Sequence, residues 1–144
     1  MVARLLAAIA ALLCAIGPAR AQDAAWADVL AKARGQTVHW NAWAGDEKTN
    51  AFIAWVGDEV AKRHGVKVVH VKLKDTAEAV TRVVAEKAAG RDSGGSVDLV
   101  WINGANFLAL RQQKLLFGPY AERLPNWRYV DTAGKRSNLV DFTI

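Results

Sequence analysis

Two groups of side chains in this chain are of the types that bind small molecules, and neither has the make-up of a bond-breaking site. Trp43, Gly45 and Asp46 fall within four positions of one another. An indole stacks on a planar or cationic ligand, a glycine lets the backbone come close, and a carboxylate supplies a counter-charge. Thr49 and Asn50, just beyond, add hydrogen-bonding groups. Trp43 equally suits core packing and Asp46 equally suits capping the next helix, and such roles can coexist. Further along, Asn103, Gly104 and Asn106 place two amides beside a permissive backbone. An amide donates and accepts without carrying charge, which fits selective binding better than proton transfer, although Asn-Gly also favours a tight turn.

Reactive constellations are missing from the sequence. His39, His64 and His70 have no metal-ligand spacing and no accompanying carboxylate or cysteine cluster, so no metal is expected. Ser93 to Ser96 precede a strand, the wrong context for a nucleophile elbow. Asp92 and Asp98 have no evident acid/base partner. Neither a G-x-G-x-x-G fingerprint nor a P-loop is present, which leaves a nucleotide cofactor without support. The expectation is no catalytic set and no cofactor.

The chain has 144 residues and a formal charge of +5. That length allows one ordinary domain with a core of its own. Residues 1–21 carry Arg4, an apolar run from Leu5 to Ile16, Gly17-Pro18 and the small-residue pattern Ala19-Arg20-Ala21. This reads as a secretory signal peptide, too short to remain as a membrane anchor, and it predicts export. The single cysteine, Cys14, lies inside it behind Leu13, a poor lipoprotein signal. Cleavage after Ala21 leaves no thiol or disulfide. The remaining basic residues are interspersed with acidic ones, without the stripe that nucleic-acid binding needs.

The elements that must position the binding groups follow from periodicity. Residues 23–33 read as a short helix capped by Asp23 and stopped by Gly35. Residues 37–42 form a branched and aromatic strand, and residues 47–64 a helix carrying Ala51, Phe52, Trp55, Val56 and Val60, ended by Gly65. Residues 66–73 alternate partially, as near a sheet edge. Asp75 and Glu78 make a capping box for a helix with Val80, Val83, Val84 and Ala88 inward. Residues 97–102 read as a compact buried strand, residues 105–113 as a short helix, residues 114–126 as irregular, and residues 139–144 as extended again.

This alternation predicts an α/β fold with a mainly parallel sheet flanked by helices. Ligands of such sheets sit beyond the carboxyl ends of the strands, here the loops 43–46, 74–76 and 103–106.

The export signal, the βαβαβ pattern and four segments, residues 41–50, 72–79, 98–104 and 124–127, together resemble bacterial extracytoplasmic solute-binding proteins of ABC importers. Within these the chain is most similar to a group related to thiamine, polyamine and iron binders. The resemblance implies a periplasmic-binding-protein-like first lobe over residues 22–138, with residues 139–144 starting the strand toward a hinge and a second lobe absent from this chain. It also implies a protein that closes over a small solute and delivers it to an inner-membrane ABC permease. Carried over by loop position, the ligand residues are Trp43, Gly45 and Asp46, then Asp75 and Thr76, then Asn103, Gly104 and Asn106. Trp43 with Asp46 suits an organic cation such as thiamine or a polyamine. Iron is less attractive, since Tyr120 and Tyr129 lie outside the three loops. Members of that group are more than twice this length, so the chain reads as an N-terminal fragment. The alternative is a secreted α/β enzyme such as a hydrolase, with its catalytic residues beyond Ile144. A receiver-like domain fits less well, because it needs a carboxylate where this chain has Asn103.

Overall fold

A computed structural model describes residues 17–134. The apolar run 5–16 with Cys14, and residues 139–144, expected to be extended, lie outside the described residues. The order of elements is α1 (Gly17–Ala33), β1 (Thr37–Trp43), α2 (Glu47–His64), β2 (Lys67–Leu73), α3 (Ala77–Ala88), β3 (Leu99–Val100) and α4 (Gly104–Gln112), followed by 3₁₀ turns at Ala121–Arg123 and Pro125–Tyr129. The fold is α/β, among the described residues an open three-stranded parallel sheet of order β2-β1-β3 flanked by helices.

Helix α1 includes Asp23 rather than starting from it, because nothing between Pro18 and Gly35 breaks a helix in this alanine-rich stretch. Gly35 takes the left-handed conformation at φ 82°. Its N–H donates to the Gly65 carbonyl at 2.7 Å, and the Lys67 N–H donates to Gln36 at 2.9 Å, so the entries to β1 and β2 are tied together.

Strand β1 lies in the middle, paired with β2 from Thr37↔Lys67 to Trp43↔Leu73 and with β3 at Trp40↔Leu99 and Asn41↔Val100. Asn41 and Ala42 are completely buried. Strand β2 is an edge strand, as its partial alternation predicts. Strand β3 departs from expectation. Only Leu99 and Val100 join the ladder, and Leu99 and Trp101 are exposed. Among the described residues β3 has no neighbour on its outer side, so an apolar run here does not mean burial from both faces.

The core comprises Ala42, Ile53, Val66, Leu73, Ala79 and Leu110. The buried position of α2 is Ile53, whereas Phe52 and Trp55, expected on the inner stripe, are exposed and pair with each other at 6.0 Å. On α3 the buried residue is Ala79; Val80, Val83 and Val84 are half-buried and Ala88 is exposed. Asn41 ties α3 to the sheet: its Oδ1 accepts from Arg82 Nη1 at 3.1 Å, and its Nδ2 donates to the His39 carbonyl at 3.3 Å.

Candidate functional site

At the carboxyl edge of the sheet the three strand-end loops border one cleft of about 310 Å³, lined by Trp43, Thr49, Thr76, Trp101, Ile102 and Asn103. Each loop contributes, as expected for a parallel α/β sheet. Of the eight residues anticipated from sequence, Trp43, Thr76 and Asn103 line the cleft, and the other five hold its walls.

Asp46 is the N-cap of α2. Its Oδ2 accepts the Thr49 N–H at 2.7 Å and the Thr49 hydroxyl at 2.7 Å. The Thr49 hydroxyl and then the Thr49 N–H hold this carboxyl below the usual carboxylate range against an upward pull from burial, with a lesser contribution from the Lys48 N–H. The carboxylate is thus engaged with the helix it starts, and it does not line the cleft. A depressed folded-state pKa adds stability that is present above the unfolded value and is lost as pH falls through the lowered one. Asp46→Ala is therefore expected to lower the urea midpoint at neutral pH, with the gap to the parent closing in acid; a constant gap across the titration would exclude the ionised cap.

Gly45 answers to the indole beside it. A Cβ at this position would fall 2.1 Å from Trp43 Cζ2 and 2.6 Å from Cε2, so the ring lies directly over the glycine. Trp43 is itself 48 % exposed. We expect Gly45→Val to push the ring off its seat while the fold persists, read as a changed near-ultraviolet circular dichroism of the tryptophans with an unchanged far-ultraviolet spectrum.

The second loop carries only the glutamate half of the expected capping box: Glu78 Oε1 accepts the N–H groups of Lys74 and Asp75, each at 3.1 Å, while the N-cap of α3 is Thr76, whose side chain makes no capping bond. Asp75 Oδ1 accepts the Ala77 N–H at 2.7 Å, one position earlier than the sequence pattern predicts. Asp75 faces this cap and Thr76 faces the cleft.

At the third loop Asn103 is extended, at φ −101° and ψ 170°, and Gly104 opens α4, so the pair starts a helix and is not an Asn-Gly turn. Gly104 is buried. Asn106 Nδ2 donates to Asn103 Oδ1 at 2.8 Å, so Asn106 orients Asn103 from outside the lining.

Sequence reasoning left out Trp101 and Ile102. Trp101 lies just past the last ladder residue and is 49 % exposed, while its ring stacks on Trp40 at 6.0 Å and 14°. The available signal was a large aromatic immediately before a polar strand-end loop. Thr49 was noted only as a source of hydrogen bonds; it both lines the cleft and holds Asp46.

Two other features lie apart from the cleft. Asp98, read from sequence as lacking a partner, accepts from the His39 N–H at 2.8 Å and lies 3.0 Å from His39 Nδ1. That pair sits about 13 Å back along β1 from Trp43 at the rise of a strand. A cavity of about 300 Å³ borders the end of α3 and residues 114–117. Its Glu86 is held below the usual carboxylate range first by the Ser96 hydroxyl and then by the Ser96 N–H, with Arg91 assisting. Among the described residues no group of three or more His, Cys, Asp and Glu side chains could hold a metal ion, and no helix is long and apolar enough to cross a membrane.

The chain is similar to Protein YnjB of Escherichia coli (strain K12), with 49 % identity over 107 residues, covering 74 % of this chain and 28 % of that protein. It thus spans little more than a quarter of the length of this curated relative. No family model matches the chain, and no solved structure matches it. These findings correct the expected placement among the thiamine, polyamine and iron binders of ABC importers. The relative's name states neither a ligand nor a transport role, and no family model joins the chain to that group.

Proposed function

We propose that this chain forms one wall of a cleft that captures a small solute in the periplasm, as the solute-binding component of an importer, and hands it to an inner-membrane permease. One observation carries the reading: Trp43, Thr76 and Asn103, drawn from three separate strand ends, border a single cleft at the carboxyl edge of a parallel sheet. The side chains there are two indoles, two hydroxyls, an amide and an isoleucine. They offer stacking and hydrogen bonds, and none is a general base or a strong nucleophile. Export is supported by Arg4 and the apolar run from Leu5 to Ile16.

The test uses the full-length protein. Cell fractionation and N-terminal sequencing address export, with cleavage after Ala21 as the expected result. Thermal unfolding against a panel of small solutes addresses capture: a solute that binds only the folded protein stabilises it by about 2.7 kcal/mol at a hundred times its Kd. The recovered solute is expected unchanged. Product formation abolished by one substitution would replace this reading with a secreted enzyme.

A further inference from the structure

Resting on the reading of the cleft as a solute site, we infer that its solute is an uncharged ring with a stacking face and an edge that carries both a hydrogen-bond donor and an acceptor.

The two indoles define the face. Trp43 and Trp101 both line the cleft and are about half exposed, and each is backed by the protein: Trp43 lies over Gly45, and Trp101 stacks on Trp40. Rings held from behind are ready platforms, because little freedom is lost when a flat solute covers them.

The polar atoms define the edge. The Thr49 hydroxyl spends its proton on Asp46, so it has lone pairs left for a donor. Asn103 Oδ1 is taken by Asn106, so its Nδ2 has hydrogens left for an acceptor. Thr76 can serve as either. The cleft therefore presents an acceptor and a donor in a lining that also holds two indoles.

The charged groups nearby argue against an ionic solute. None of the six lining residues is ionisable. Asp46 serves Thr49, Asp75 serves Ala77, Glu78 serves Lys74 and Asp75, and Arg82 serves Asn41. A charged solute would therefore meet no ionisable side chain among the lining residues, and the Asp46 anion behind them already has the Thr49 N–H and hydroxyl as its partners. The pairing of Trp43 with Asp46 for an organic cation thus has its aromatic half in the cleft and its carboxylate turned to the helix.

Heteroaromatic lactams and pyranose sugars share this chemistry, and the experiment separates them. Calorimetric titration of the full-length protein would use uracil, glucose, thiamine, spermidine and citrate, each at low and high salt. We expect uracil or glucose to bind, with a Kd that salt hardly changes. Trp43→Ala and Trp101→Ala should each weaken that binding about tenfold, and Trp101→Phe should restore most of the loss. If Trp101→Ala unfolds through its contact with Trp40, the Phe variant and Trp43→Ala still read the platform. Salt-sensitive binding of thiamine, spermidine or citrate in preference to the uncharged rings would overturn the inference and leave solute capture standing. Indifference of a bound ring to both tryptophans, or no binding by any of the five probes, would also overturn it. Conversion of a probe would overturn the capture reading itself.

Discussion

Ile53→Ala is expected to destabilise the fold by about 2–5 kcal/mol, the range for truncating a buried isoleucine. Ile53 is 1 % exposed and is the buried position of α2, the helix whose start frames Trp43 and Asp46. Its loss leaves a cavity between α2 and the sheet, in a core of few residues with little capacity to refill it. Trp55→Ala is the control, since Trp55 is larger but 58 % exposed. Its effect should stay within about 0.5 kcal/mol, as for surface substitutions. Urea unfolding of both variants reads the contrast, and a larger loss at Trp55 would place the inner stripe of α2 where the sequence alone predicts it.

The second large effect is expected at Asn41. This side chain is completely buried on the central strand and accepts a hydrogen bond from Arg82. Asn41→Leu keeps the branching and the number of heavy atoms, though in a bulkier side chain, and removes the acceptor, leaving the guanidinium without its partner and the His39 carbonyl without the Nδ2 donor. A hydrogen bond to a charged group contributes about 1.5–3 kcal/mol, and a loss of that size is expected. Arg82→Met in the Asn41→Leu background should then cost far less than in the parent. Additive losses across that double-mutant cycle would mean that the two residues act independently.

Much of the fold was legible because its punctuation is strong. Asp46 and Gly65 bound α2 where their types predict, and Glu78 anchors its loop as a capping-box glutamate should. The alternation in β2 marked an edge strand. Less legible were properties that depend on neighbours in space. Residues 97–102 read as buried because they are apolar, yet burial depends on what lies on the outer side of β3, which hydrophobicity does not encode. The stripe of α2 was misplaced because Phe52, Ile53, Trp55 and Val56 fit helical periodicity at more than one rotation. Tertiary packing chose Ile53.

The site followed the same division. Strand-end topology located all three loops, because a parallel sheet fixes where its carboxyl ends lie. Which side chain in each loop faces the cleft was not legible, since Asp46 and Asp75 are equally good caps and ligands by type. Local N–H groups claimed both carboxylates. Trp101 escaped notice because a tryptophan at the end of an apolar strand looks like core until its exposure is seen.

Capture of a solute without chemistry is tested most directly by native mass spectrometry of the full-length protein, purified from its own cells beside its Gly45→Val variant. The predicted result is one small, uncharged solute per protein, released unchanged on denaturation and depleted in the variant. A solute returned chemically altered, or retained equally by both proteins, would contradict the account.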